Sequence, residues 1–429
     1  MPKHKKKNPV QSHNQNGASQ NGYGSDDESL NDNDSLFSYQ SEGNQDSTDG
    51  TEVEVDANEK YEDKLIQAME NATEKSAQTR TLALQAMAEI LMQRYLPDFV
   101  DDRKITIMDL IEKSIKRGKG IEQAWGARLA ALLIIQVGSD EEIIRTLTPV
   151  LRIAALDPSL SYDARAKCCL SLGLLNFLGN DDLGEIIELM KNFESIFCAS
   201  YLKGDNSPSS AGAEAAALHS AALSAWGLLL TLLPPSDVAH MTEKPGSFPA
   251  IKNLLGLLRS AHLDVRVNSG ELFALLYEQG RAHDDDYLEE YLPELINITR
   301  TLATDSHKYR AKRDRKTQRA TFRDILHYFE EDTSPEINVR FGRESMCLDS
   351  WASHHQYTSF CNVMGPGINN HLAENEFLRD VLQLGAKLNE AEGLKKMTKA
   401  EKRFYNAEAF KARTKLRSKN RDKRSAVVN

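Results

Sequence analysis

The sequence predicts an all-α chain wound into an armadillo/HEAT-like α-solenoid. Three observations predict it. From residue 58 onward apolar residues recur at three- and four-residue spacing, and no stretch alternates as a strand would. A loose motif then recurs: a short polar turn, an Arg, and small residues and Leu on one helical face. The marks fall at Arg80, Arg128, Arg165, His219 and Arg266, with gaps of 48, 37, 54 and 47 residues. That is the roughly 40–47-residue scale of HEAT and armadillo units.

The elements follow in order. Residues 1–57 are rich in Asn, Gln, Ser, Gly and Asp and poor in large aliphatics, so they are expected to be a disordered acidic and polar tail. Residues 58–305 hold the repeats. Arg80 leads into Leu82, Ala83, Ala86, Met87 and Ile90; Arg128 into Ala131, Leu132 and Ile135; Arg165 into Cys169, Leu172 and Leu175; Arg266 into Gly270, Leu272 and Leu275. Partner helices are expected at 104–117, 141–155, 184–202, 248–260 and 286–303, which makes about five repeats. Small residues let paired helices approach closely. One pair cannot bury its apolar face alone, so neighbours must stack. Residues 306–394 form a C-terminal helical region that opens on a basic helix, 308–323. Stretches 331–345 and 362–370 read as loops around a short helix holding Trp351. Residues 395–429 are a basic C-terminal helix or tail.

Composition limits the function. Hydrophobic residues are 40% of the 429, enough for a core, and no uninterrupted apolar run reaches the ~18 residues of a membrane span. The five Cys include no C-x-x-C pair, which suits reduced thiols in cytoplasm or nucleus. Phosphate-loop, H-E-x-x-H, G-x-S-x-G and EF-hand patterns are all missing. Cys347, His354, His355, Cys361 and His371 are the one loose metal-type cluster, and their spacing matches no zinc pattern; packing or surface roles are expected. No enzyme activity, cofactor, metal or small-molecule substrate is expected.

Charge points instead to a macromolecular partner. The net charge is −10, but it is unevenly placed. Residues 25–63 hold fourteen Asp/Glu against one Lys, whereas residues 395–424 hold thirteen Lys/Arg against three acids. Residues 308–323 hold eight Lys/Arg against Asp314. Wound at 100° per residue, Lys308, Lys312, Lys316, Arg319 and Arg323 fall within roughly 80°. Ala311, Phe322, Ile325 and Phe329 make a separate stripe, so this helix can dock one face and present the other. The C-terminal segment differs. Lys411, Lys415, Lys419 and Lys423 form one stripe, and Arg413, Arg417, Arg421 and Arg424 another on roughly the opposite side. A helix basic nearly all round has no face for a core or a membrane surface. It suits surroundings of polyanion, and large folded RNA supplies them better than one face of DNA.

Several stretches carry a resemblance. They are Asp102-Arg-Lys-Ile-Thr-Ile-Met-Asp-Leu-Ile-Glu112; His307 through Arg319 with Phe322-Arg-Asp-Ile-Leu326; Phe341-Gly342, Trp351 and Asn375-Glu-Phe-Leu-Arg379; and Phe404-Tyr-Asn-Ala-Glu-Ala-Phe through Arg424. With these the chain resembles the interferon-related developmental regulator family over about residues 58–425. The resemblance implies an armadillo-like domain, a family-specific C-terminal region and no catalysis. It implies two partner classes: idle ribosomes, with a C-terminal helix lodged in an RNA-lined channel, and histone-deacetylase corepressor complexes in transcriptional co-regulation. Cytoplasmic and nuclear locations go with these. The all-round basic tail favours ribosomal RNA, with the thirteen Lys/Arg residues named above as its contacts.

Overall fold

The computed structural model describes residues 50–243, 249–305 and 311–387. The tail before residue 50, Lys308 and all of 395–429 lie outside these residues. The helices are α1 (Gly50–Asn71), α2 (Ala77–Gln93), α3 (Pro97–Asp101), α4 (Lys104–Arg117), α5 (Ile121–Val137), α6 (Glu141–Leu156), α7 (Tyr162–Gly179), α8 (Leu183–Phe197) and α9 (Ala213–Leu230). Then come α10 (Pro235–Glu243), α11 (Ile251–Leu257), α12 (Leu263–Arg281), α13 (Leu292–Thr304) and α14 (Lys312–Glu331). A hairpin, β1 (Ile337–Phe341) and β2 (Glu344–Leu348), precedes α15 (Trp351–Met364), α16 (Ile368–Glu374) and α17 (Glu376–Val381). Helix α1 starts ahead of the expected boundary at residue 58.

The array is two layers. Helices α2, α5, α7, α9, α12 and α14 touch in that order and form the inner layer. Helices α1, α4, α6, α8, the α10–α11 pair and α13 back them. Sequence punctuation places the turns. Ser76, Asp140, Ser161 and Asp182 each cap a following helix, their side-chain oxygens accepting backbone N–H bonds in its first turn. Outer neighbours α4 and α6 are aligned at their starts by a 2.7 Å pair between Lys104 Nζ and Asp140.

The recurring Arg has a physical role. Arg80 Nη1 donates to the carbonyls of Glu74 and Lys75 at 3.1 and 2.8 Å. Arg165 Nε donates to Ala155 O at 2.9 Å, and Arg266 Nη1 to Ser260 O at 2.7 Å. Each acceptor lies at or just past the C-terminal end of the preceding outer helix, where carbonyls lack intrahelical partners. Arg80 and Arg266 also reach the next inner helix, at Glu122 and Gln318. Arg128 breaks the pattern: its Nε donates to Val363 O, 235 residues away.

That contact belongs to a strap. After α14 the chain turns back and crosses the inner layer in reverse order. The Glu278 carboxylate on α12 accepts the Trp351 and Ala352 N–H groups at 2.8 Å each, capping α15. His355 Nε2 donates to Ser224 O on α9 at 2.8 Å. It lies so close that a Cβ on Gly227 would sit 2.8 Å from the ring. Phe360 meets Phe177 of α7 edge-on. His371 Nε2 donates to Leu91 O of α2 at 3.0 Å, and Asn375 to Ile135 O of α5 at 2.7 Å. Burial lowers the pKa of His355 and takes that of His371 down to about 4, so both imidazoles sit neutral.

The strap explains why the inner helices it crosses, α5, α7 and α9, carry apolar residues nearly all round. Helix α9 is long and apolar enough to cross a membrane by length and composition, yet 72% of that window is buried inside the fold. An inner helix is covered by its outer partner, its two neighbours and the strap, so few sides need to be polar.

The strap also corrects the sequence reading of 331–345 and 362–370 as loops. Ile337 pairs with Leu348 and Phe341 with Glu344 in an antiparallel ladder. Val339, Phe341, Met346 and Leu348 are buried while their neighbours are exposed, the alternation of a half-buried hairpin. Five-residue strands are too short for that period to stand out between irregular flanks. Helix α15 runs through Met364, and a single 3₁₀ turn at Gly365–Gly367 leads directly into α16.

Candidate nucleic-acid interface

The basic helix α14 is the last step of the inner layer, packed on α12 and α13. Its apolar stripe is the one the period indicates: Phe322 and Ile325 are fully buried, with Tyr328 and Phe329 beside them. Ala311, expected on that stripe, is instead the exposed residue before the first turn. Gly270 of α12 permits the close approach, since a Cβ there would lie 2.7 Å from Phe322. One buried polar group ties three helices together. Gln318 Oε1 accepts from Arg266 Nε and Nη2 at 3.1 and 2.6 Å. Its Nε2 donates to Leu302 O and to Asp305 at 3.2 Å each. Asp332, in the left-handed region at φ 52°, ends the helix.

The opposite face is cationic. Lys312, Lys316 and Arg323 are exposed and Arg319 half-buried, so four of the expected residues share one helix. Arg313 is exposed as well. Arg315 lies one turn before Arg319 at the margin of the apolar stripe. The Nε atoms of Arg315 and Arg319 are shielded from solvent and have no acceptor among the described residues. Such donors are costly to leave unpaired, and an anion at the helix margin would satisfy them. Sequence reasoning missed Arg313 and Arg315 because it followed the densest stripe. The i, i+4 spacing of Arg315 and Arg319 was the available signal. Lys308, Lys411, Arg413, Lys415, Arg417, Lys419, Arg421, Lys423 and Arg424 lie outside the described residues.

Other candidates fall elsewhere. No group of three His, Cys, Asp or Glu among the described residues is arranged to hold a metal ion. His355 and His371 hold the strap, and His354 Nε2 bonds the carbonyls of Pro335 and Leu348 at 3.0 and 3.2 Å. Cys168 and Cys169 are buried in α7, where burial raises both thiol pKa values, that of Cys168 to about 12.

Comparison with known proteins decides the family. A sequence model described as Interferon-related developmental regulator matches residues 33–330, and one described as Interferon-related protein conserved region matches residues 375–425. The chain belongs to the interferon-related developmental regulator family. It is 40% identical to mouse Interferon-related developmental regulator 2 over 376 residues, covering 86% of this chain and 84% of the relative. It is 40% identical to pig Interferon-related developmental regulator 1 over 387 residues, covering 88% and 85%. The human regulator 1 is 39% identical over the same span. Both basic segments fall within the family matches: α14 in the first and residues 411–424 in the second.

Proposed function

We propose that this family member is a non-enzymatic regulator that binds ribosomal RNA and restrains translation by occupying idle ribosomes. One observation carries the reading. Helix α14 is clamped to the array by Phe322, Ile325 and Gln318, and its outward face presents Lys312, Lys316, Arg319 and Arg323, with Arg315 at the margin. A solvated face would mix signs, whereas Asp314 is the one acid in its first three turns. The second basic segment, Lys411 to Arg424, adds eight cations around a helix-length stretch. Arg supplies bidentate phosphate contacts and base stacking, which suits structured RNA.

Occupancy of the ribosome would exclude tRNA or mRNA. Sedimentation of lysate through a sucrose gradient tests this. Salt-sensitive co-migration with idle 80S particles that persists after mild nuclease treatment is the expected result. Phosphate contacts by six to ten cations should cost about 10³–10⁵ in affinity between 50 and 200 mM salt. The variant Lys411→Glu, Arg413→Glu, Lys415→Glu, Arg417→Glu should leave the ribosomal fractions. Migration near the top, or with a nuclear histone-deacetylase complex, would replace this reading with transcriptional co-regulation.

A further inference from the structure

The strap covers the inner layer only in part. It meets α5 at Arg128, α7 at Phe177, α9 at Ser224 and α12 at Glu278. Seven residues make two helical turns and return to the same helix face, so each of these positions has a counterpart about 10 Å nearer the start of its helix. The counterparts are Ile121, Leu170, Ala217 and Glu271. Ile121 is 64% exposed, Ala217 is exposed, and Leu170 and Glu271 are half-buried. They mark a lane that runs beside the strap across α5, α7, α9 and α12.

A charged group stands at each end of this lane, and neither has a counter-charge among the described residues. At the α5 end, Arg128 Nε donates to Val363 O at 2.7 Å, and the guanidinium lies 5.7 Å from the ring of Trp125. Its Nη atoms have no acceptor among the described residues, and burial alone lowers its pKa. At the α12 end, the Glu271 carboxylate has no partner among the described residues. The nearest amide on its own helix, Asn268 one turn earlier, is spent on Ser220 of α9 at 3.1 and 2.8 Å. A partly desolvated charge without a partner is costly, and an opposite charge on a ligand offsets that cost.

From α5 to α12 the inner layer takes three steps, through α7 and α9. At 8–10 Å between packed helices the two charges stand about 24–30 Å apart. A metabolite is too short to reach both, and a phosphate backbone laid in the lane would run onto Glu271. An extended polypeptide fits, because it covers that length in about seven to nine residues. Leu170 and Ala217, between the ends, carry no charge, and the small Ala217 lets a backbone lie close. We propose that this lane binds an extended segment of a partner protein, with a Lys or Arg of the segment on Glu271 and an Asp or Glu, about seven to nine residues away, on Arg128. The surface is distinct from the cationic face of α14 and does not depend on the RNA-binding reading.

Fluorescence titration of the full-length chain tests it. Trp125 is half-buried while Trp226 and Trp351 are buried, so a ligand in the lane alters chiefly the Trp125 signal. The probes are capped peptides of Ala, Ser and Leu with one Glu and one Lys about eight positions apart, in either order, and a control of the same composition with the two charges adjacent. One spaced peptide should bind at least about tenfold more tightly than the control. Glu271→Gln should abolish that preference. Glu271→Lys should transfer it to a peptide with Glu in place of Lys, a rescue that a purely structural role would not give. Arg128→Gln should also abolish it; because this variant loses a strap bond, the decision rests on the Glu271 pair. If the peptides all bind alike, if none binds below about 1 mM, or if the preference survives Glu271→Gln, the lane is not a peptide site and the proposal is wrong. A short single-stranded RNA that quenches Trp125 where the peptides do not would overturn it as well, and would assign the lane to nucleic acid.

Discussion

The strap and helix α14 treat their polar groups in opposite ways. In the strap, polar side chains face the array and are used up there. His355, His371 and Asn375 bond main-chain carbonyls, and Arg379 makes five polar contacts from a buried position. In α14 Gln318 is spent this way, while Lys312, Arg313 and Arg323 stay outside and Arg315 and Arg319 lie at the margin. Both regions are rich in charge and polarity in the sequence. What separates them is the partner each face meets: main-chain carbonyls accept single neutral donors, and a dense row of cations has nothing comparable inside the fold. A buried polar side chain is costly unless paired, so polarity directed inward specifies structure, while polarity directed outward is available for binding.

The sharpest way to break the comparison is to remove what holds α14. Phe322→Ala deletes a fully buried ring against Gly270 and should cost about 3–5 kcal/mol, read by urea unfolding. If the loss is below about 1 kcal/mol, α14 is not seated on α12 as described. The strap counterpart is smaller. Glu278→Gln keeps the shape but sets an amide NH2 against one of the two N–H donors at the start of α15 and leaves the other with a neutral acceptor. A loss of about 1–2 kcal/mol is expected at pH 7, measured the same way. An unchanged midpoint would mean that the cap is not what seats the strap.

Much of this arrangement was legible in the sequence. The Arg marks, the α4 boundaries at 104 and 117 and the two faces of α14 follow from local spacing, because helical period and cap chemistry act over a few residues. The strap was not legible. Its bonds join residues 131 apart for His355 and 280 apart for His371, and no local pattern indicates which apolar face will cover which. The near-uniform apolarity of α5 and α9 was the available signal, since a two-layer array exposed on its inner side would need a polar stripe there. On the cationic face of α14 four residues were legible from the period, but not Arg315, whose Nε is shielded only once the helix is packed.

A third prediction contrasts two acids on one face of α12. Glu278 has partners on the strap; Glu271, two turns earlier, has none among the described residues. Burial alone pushes the Glu271 pKa up to about 7 from 4.5. The sign follows from linkage. Below pH 4.5 the acid is protonated in both states and costs nothing. Between pH 4.5 and about 7 the unfolded chain ionises first, so stability falls as pH rises. Above pH 7 the penalty is complete; because solvent reaches the half-buried side chain it is on the order of 1–2 kcal/mol. Glu271→Gln should therefore be more stable than wild type at pH 8 and nearly equal to it at pH 4.5. A difference that does not vary with pH would place Glu271 in a solvated setting.

The smallest expected change in stability comes from the outward face itself. Lys312→Glu, Lys316→Glu, Arg323→Glu alters three exposed side chains. Exposed substitutions of this kind shift stability by about 0.5 kcal/mol or less each. The new acid at position 312, in the first turn, also suits the positive N-terminal end of the helix, which offsets part of any loss. The unfolding midpoint should therefore stay near wild type while RNA affinity falls and the salt slope flattens by about three phosphate contacts. This pairing of unchanged stability with lost binding is what distinguishes a recognition face from a structural one. If the triple variant unfolds as readily as Phe322→Ala, the cations of α14 hold the fold, and the contrast with the strap disappears.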